Sequence, residues 1–335
     1  MERRLYLFLI FFLAHLFSEA QTRRFSFTEK KMGSPLTLIF YCDDSLKAAA
    51  FSTRSFHLVD SLVNIFSDYI DESELNQLCR SVGTTFKCSP ALFEILKLSQ
   101  DAYAKSEGTF DITLGPVTQL WRKARAEKKI PEASQVKEKI ALTGFSKIKL
   151  DTIAHTATLT QKGMRLDLGG IAQGFIAQQV IDFLKKCQVK NALIDVSGDI
   201  VCIGNPPNAK GWTVGISVPG KENQLLQKQL LITNSGVTTS GDVYQYIEHE
   251  GKRYSHIVDP LTGYGITTQR NVTVIASDGT LADWLTKACS LLPVAKAKKL
   301  AARLNTAVLI TEMKKGKLVF YASNNFKQFW KTPKK

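Results

Sequence analysis

The sequence predicts an α+β fold, a largely antiparallel sheet with packed helices. Three observations lead there. Short apolar runs fall between turns rich in Gly and Pro, as strands do. Longer segments carry apolar residues at helical spacing. The two kinds do not alternate regularly, as a parallel sheet with crossover helices would require. The 335 residues, 44% of them hydrophobic, can bury a sizeable core. No repeat, low-complexity block or interdomain linker divides them, and no interior run is long enough to span a bilayer. One domain over 21–335 is expected.

Residues 1–20 read as a signal peptide. Arg3 and Arg4 precede an apolar stretch broken by His15, and Ser18-Glu19-Ala20 resembles a small-x-small cleavage site. Export across a membrane follows. The alternative is an uncleaved anchor, for which the run is short. No cysteine stands at the cleavage point to accept a lipid.

"SPLTLIFYCDD" has a strand pattern, and 45–67 recur as an amphipathic helix through Phe51, Leu58, Leu62, Ile65 and Phe66. "SPALFEILKLSQDAYAKSEG" is a helix capped by Ser89, with Pro90 at its first position and Gly108 past its end. "FDITLGPVTQLW" reads as an extended run broken by Gly115-Pro116. "PEASQVKEKIALTG" is a short charged helix, 146–168 alternate like a hairpin, and a helix covers 171–186. "NALIDVSGDIVCIG", "GWTVGISVP", "KQLLITNSGVTTSG", "RYSHIVDP" and "NVTVIA" read as strands. Asp278 can cap one or two helices before a terminal hairpin, "TAVLITEMKKGKLVFYAS".

The net charge is +14, and the leader's two arginines and two glutamates leave the mature chain unchanged at +14. Its basic clusters mix signs, as in Lys137-Glu138-Lys139, and read as solvated helix faces rather than a nucleic-acid surface. A peripheral contact with an anionic membrane, or an acidic partner, suits an exported basic protein better. Six cysteines lie apart with no C-x-x-C spacing. Cys79 could pair with Cys88, or the thiols could stay free and buried. Asn271-Val272-Thr273 matches a glycosylation sequon, but it sits in an apolar strand.

Three stretches could carry chemistry. In "LDLGGIAQGF" a strand delivers Asp167, Gly169-Gly170 allow close backbone approach, and the next helix aims free N–H groups at that turn. Such a turn suits a phosphate, although a strand-to-helix turn needs glycines anyway. In "YSHIVDPLTG", His256 and Asp259 lie three apart, and a histidine near an acid can act as a general base. A structural hydrogen bond is the plain alternative. In "TLADWLTKAC", Asp283, Thr286 and Lys287 share a helical face, and oxygen ligands from Asp and Thr suit Mg²⁺. A salt-bridged acid is the other reading.

Order and wording join them. "MGS" at 32, "SDYIDESEL" at 67, "GTFDITLGPVTQLW", "LDLGGIAQG", "NALIDVSGDI", "TTSGDVYQY", "GKRYSHIVDPLTG" and "LADWLTKA" together closely resemble the ApbE family, the FAD:protein FMN transferases. The resemblance covers nearly the whole mature chain and implies a T-fold-like single domain. It implies FAD as substrate and Mg²⁺ as cofactor. The FMN half of FAD would pass to a threonine of an acceptor protein, releasing AMP.

The acceptor would carry an Asp-Gly-x-Ser/Thr-Gly-Thr-like stretch, typically in a membrane-bound redox subunit. The chain would be periplasmic or at the outer face of the inner membrane. FAD diphosphatase activity, or FAD binding with little turnover, are the alternatives.

Position by position, the resemblance assigns Met32 and Tyr69 to the ring systems and Leu114, Gly115 and Pro116 to the pocket wall. Asp167 would bond the adenosine end, with Ile266 an apolar contact near it and Gln173 in the Gly-rich turn. The Gly170 carbonyl, Asp283 and Thr286 would ligate the metal, and His256 would be the base. Several positions depart from the family's usual residues. Gln173 replaces Lys or Glu, Asp195 and Ser197 replace Asn and Gly, and Val243 and Gln245 replace aromatic and basic residues.

Lys287 stands where the last metal ligand is usually Thr. Its ammonium would either occupy part of the metal's place and meet phosphate directly, or point away and leave Mg²⁺ to Gly170, Asp283 and Thr286. The second is followed here, since Asp283 and Thr286 remain; it predicts activity stimulated by Mg²⁺.

Overall fold

The structure, a computed structural model, describes residues 22–219, 224–241 and 245–331. The expected signal peptide and Val243 lie outside the described residues. The strands are β1 (Arg23–Lys31), β2 (Ser34–Cys42), β3 (Phe86–Lys87), β4 (Ile148–Asp151), β5 (Thr156–Leu159), β6 (Ala192–Val196), β7 (Asp199–Ile203) and β8 (Trp212–Val214). They continue with β9 (Leu230–Ile232), β10 (Ser235–Ser240), β11 (Tyr246–His249), β12 (Lys252–Ser255), β13 (Arg270–Ala276), β14 (Ala307–Lys314) and β15 (Lys317–Ala322). The helices are α1 (Ser45–Phe66), α2 (Glu74–Arg80), α3 (Pro90–Lys105), α4 (Gly115–Glu127), α5 (Ala133–Ile140), α6 (Ala172–Lys186), α7 (Gly279–Leu291) and α8 (Val294–Arg303).

Eight strands form one sheet in the order β1-β2-β6-β7-β10-β13-β14-β15, every neighbouring pair antiparallel. Its apolar runs follow from burial on both faces. Along β2, Leu36, Leu38 and Phe40 enter the main core, while Ile39 and Tyr41 between them pack on the other face. Val272, Val274 and Ala276 of β13 do likewise against Ile275. Helices α1, α3, α6, α7 and α8 supply the main core. Trp212 and Leu230 of β8–β9, with Phe326, cover the other face.

The caps follow side-chain chemistry. Asp44 accepts from the Leu46 and Lys47 amides, Ser89 from Leu92 and Asp278 from Leu281. In α6, Phe175, Ile176, Val180, Ile181 and Leu184 bury one stripe, and Phe175 meets Phe66 edge-on at 5.5 Å.

Three expectations change. "FDITLGPVTQLW" is a 3₁₀ turn (Ile112–Leu114) running into α4, not an extended run. Asp111 caps the turn, and Pro116 opens the helix, where its missing N–H has no partner to lose. Gly115 is there for space: a Cβ would meet the Arg165 carbonyl oxygen at 2.6 Å. The hairpin of 146–168 is confined to β4 and β5. Asp167 therefore comes from an irregular segment, tied by its N–H to the Ile112 carbonyl at 2.8 Å, and not from a strand. Strand β1 and helix α2 had no sequence expectation. All six cysteines are free thiols; the Cys79 sulfur accepts from the Leu166 amide at 3.3 Å instead of bonding Cys88.

Candidate active site

Helix α4 holds two parts of the site together. Val117, Trp121 and Ala124 form one face, packed with Leu114, Ile247 and Val258. Trp121 donates its indole N–H to the Gly263 carbonyl at 2.7 Å, which fixes the loop that follows His256. Thr118 and Arg122, one turn apart on the neighbouring face, grip Asp167. Its Oδ2 accepts from Thr118 Oγ1 at 2.7 Å and from Arg122 Nη2 at 2.9 Å. Its Oδ1 accepts from the Gly169 amide at 2.8 Å, which shapes the Gly-rich turn.

Arg122 also pairs with Asp68, and its guanidinium lies 4.4 Å from the centre of the Tyr69 ring. Burial, then the Asp167 charge, raise the pKa of Asp68, and Arg122 opposes both. The structure thus brings Tyr69 and Asp167 to one cluster. Leu114, Gly115 and Pro116 are buried beneath it at the start of α4.

The second cluster lies at the turn into α6. Helices α6 and α7 cross backbone to backbone: a Cβ on Gly174 would meet the Gly279 carbonyl oxygen at 2.2 Å, and one on Gly279 would meet Val201 at 2.4 Å. That contact puts the fully buried Asp283 carboxylate on α6, where Oδ2 accepts the Gly174 amide at 2.9 Å. Oδ1 receives the Lys287 ammonium at 2.5 Å. The Lys287 stem lies against Gly170, with Cγ at 3.4 Å and Cε at 3.9 Å from an ideal Cβ there.

Asp199, at the start of β7, is buried; burial, then the Asp283 charge, push its pKa well above the carboxylate range, and the Lys287 charge opposes them. Burial disfavours the Lys287 ammonium, but Asp283 and Asp199 outweigh it and raise its pKa. Lysine 287 therefore points into the site, contrary to the expectation that it points away. The reason is electrostatic: a buried carboxylate one helical turn away attracts it more strongly than solvent does.

His256 follows the end of β12. Its Nδ1 lies 3.2 Å from the Gln245 carbonyl, which also accepts the His256 amide at 2.9 Å. A carbonyl only accepts, so Nδ1 carries the proton and Nε2 keeps its lone pair. Asp259 is not the histidine's partner; its carboxylate accepts the Leu261 amide. Burial, then the Lys287 charge, lower the His256 pKa to about 4, so the imidazole is neutral at pH 7. Ile266 pairs alongside, through Ile257 and Ser255.

Gln173 is half-buried in the first turn of α6. Met32, in a left-handed conformation at φ 51°, forms the β1–β2 turn with Gly33, and the adjoining Ser34 hydroxyl meets that of Ser197 in the β6–β7 turn. Asn271 is buried in β13 with its amide on Ser217, no place for a glycan.

Arg122, Asp68, Thr118 and Asp199 were not singled out from sequence. Arg122 and Thr118 have an i, i+4 signal, visible only once α4 is read as a helix. Asp199 lies inside the quoted "NALIDVSGDI" stretch, but nothing local to it points to Asp283 or Lys287.

The expected Mg²⁺ donors do not fit that ion as they stand. Mg²⁺ asks for unoccupied oxygens at about 2.0–2.1 Å. Both Asp283 oxygens are engaged, and the Thr286 hydroxyl is buried and donates to the Asp283 backbone carbonyl at 2.7 Å. A divalent ion about 4 Å from the ammonium would meet a bare repulsion of roughly 8 kcal/mol at an effective dielectric of about 20. Among the described residues, no cluster of three or more His, Cys, Asp or Glu suits a metal.

Comparison with known proteins agrees with the sequence motifs. A family model described as the ApbE family matches residues 32–310. A Klebsiella pneumoniae protein called FAD:protein FMN transferase is 32% identical over 270 residues, 80% of this chain and 82% of that one. One of the same name from Haemophilus influenzae is 30% identical over 325 residues, 94% of each. The apo crystal structure of Pseudomonas stutzeri flavinyl transferase ApbE superposes with a TM-score of 0.82 at 27% identity, covering 92% of this chain and 97% of that one. This chain belongs to the ApbE family.

Proposed function

We propose that the protein transfers the FMN half of FAD to a threonine hydroxyl of an acceptor protein. The threonine oxygen attacks the phosphorus on the FMN side of the diphosphate. A new P–O bond forms, the P–O bond to AMP breaks, and the hydroxyl proton passes to Nε2 of His256. AMP leaves with the bonding electron pair. The observation that carries this reading is His256: a neutral imidazole, its tautomer set by the Gln245 carbonyl, coupled to the charge of Lys287 beside the Gly-rich turn.

Phosphoryl transfer needs alignment and charge neutralisation more than covalent help. The N-terminus of α6 and the Lys287 ammonium supply the positive end for the diphosphate. Binding an anion there would offset the cation that depresses His256, and so strengthen the base when substrate is in place. Arg122 would hold Tyr69 and Asp167 for the adenosine end. We place the chain outside the cytoplasm, in the periplasm or on the outer face of the inner membrane, with a membrane-bound redox subunit as acceptor. The leader and the net charge of +14 support that placement.

The test incubates the protein with FAD and an acceptor bearing an Asp-Gly-x-Ser/Thr-Gly-Thr stretch. In-gel flavin fluorescence and free AMP are then measured. Labelled acceptor with stoichiometric AMP is expected. AMP with free FMN would instead mean that water takes the threonine's place. His256→Ala should reduce labelling by about a hundred- to ten-thousand-fold while FAD binding persists.

A further inference from the structure

We infer that Lys287 is a built-in cation: its ammonium takes the place of a divalent metal and binds the FAD diphosphate directly. This rests on the flavin reading above. Three contacts hold the ammonium where a metal would be needed. Its Nζ is 2.5 Å from Asp283 Oδ1. Its stem packs on Gly170, the turn residue whose carbonyl is a proposed ligand. Asp283 is itself fixed by the Gly174 amide, so the pair cannot swing aside without uncapping α6.

An ammonium has three donors. One goes to Asp283. Among the described residues Asp283 is the ammonium's one hydrogen-bond partner, which leaves its other donors for a ligand, and Lys287 keeps about a fifth of its side-chain surface exposed. Lysine is a common point-charge ligand for phosphate. The turn beside it leads into the N-terminus of α6, a helix of fifteen residues whose N-cap residue Ile171 supplies no side-chain cap, and the helix dipole adds to the same field. With one positive charge instead of two, the site neutralises less, and the protein contributes all of it.

The same geometry says how the metal could be regained. A threonine at 287 would remove the ammonium, free Asp283 Oδ1 and add a hydroxyl one turn from Asp283, beside Gly170.

The experiment measures FAD affinity by flavin fluorescence, with excess EDTA and with excess Mg²⁺, and Mn²⁺ binding by electron paramagnetic resonance. For the native protein, FAD affinity should change by less than about threefold between the two conditions, with no tightly bound Mn²⁺. Lys287→Thr should bind FAD at least about tenfold more weakly in EDTA, recover with Mg²⁺, and take up one Mn²⁺ per chain. Lys287→Arg, which keeps the cation, should stay indifferent to EDTA and shows that the site tolerates substitution.

Loss of FAD from the native protein in EDTA, or one tight Mn²⁺ per native chain, would overturn the inference while leaving the flavin reading intact. A native protein that binds no FAD in either condition would overturn both.

Discussion

Two cations in this site each stand beside a pair of carboxylates, and they do different work. Arg122 lies between Asp68 and Asp167, with side chains 23%, 9% and 11% exposed. Lys287 lies beside Asp283 and near Asp199, and the Asp283 side chain has no exposure. The guanidinium is planar, and its two terminal nitrogens each hold one acid, with the Tyr69 ring against the plane. It is a clip joining α4 to the α1–α2 connection and to the Gly-rich turn. The ammonium bonds one acid and has donors to spare. The first arrangement fixes geometry; the second keeps charge available for a ligand.

The largest expected effect tests the burial half of that contrast. Asp283→Ala takes from Lys287 its fully buried carboxylate partner and leaves the Gly174 amide without its acceptor, a loss of about 3–5 kcal/mol. Asp68→Asn should lose about 1 kcal/mol or less, because Asp167 still holds Arg122. Thermal melts of the two variants would separate them. Equal losses would mean that the two centres are built alike.

Next comes the crossing that creates the buried centre. Gly174→Ala drives a methyl to within 2.2 Å of the Gly279 carbonyl, so α6 and α7 must part. A loss of about 1–3 kcal/mol is expected, together with weaker FAD binding as Asp283 moves off the α6 turn. A variant of native stability and affinity would show that the close crossing does not position Asp283.

The clip makes a smaller prediction. Arg122→Lys keeps the charge but cannot hold two acids and stack on a ring together. KM for FAD should rise by about tenfold, roughly 1.4 kcal/mol, with kcat little changed. A fall in kcat at constant KM would move Arg122 from positioning to the chemistry.

The two centres also differ in how far the sequence announced them. The Lys287 centre was largely visible: Gly169-Gly170 ahead of a helical stripe, and Asp283, Thr286 and Lys287 within one helical turn, are local patterns. What was not visible is where Lys287 points. That depends on Gly174 and Gly279, residues more than a hundred positions apart, bringing a carboxylate onto α6. Asp199 joins because β7 packs against the same crossing, with Val201 facing Gly279. The Arg122 centre was hidden by one misreading. Gly115-Pro116 looks like a break in an extended run, yet Gly115 is placed for space and Pro116 for a helix start. With α4 unread, neither the Thr118–Arg122 face nor the Trp121 face could be seen. The antiparallel sheet was legible because its apolar runs are bounded by turns; β1 was missed because only Phe25 and Phe27 of its nine residues pack on the core.

The smallest effect is the sharpest discriminator, because it reads charge without turnover. His256 has its pKa depressed to about 4, by burial first and by Lys287 second. Positive charge nearby disfavours the imidazolium, so removing it must raise the pKa. In Lys287→Met the His256 midpoint should move up towards the ordinary imidazole value of about 6.5, and stop short of it because burial persists. In Arg122→Met it should stay in place: the nearby charges that move it are Lys287, Arg125 and Asp167, and Arg122 is not among them. Titration of the imidazole protons by NMR in the FAD-free protein measures both. A midpoint unmoved in Lys287→Met would place the ammonium outside the field of the base, and the coupling between diphosphate binding and His256 would fail with it.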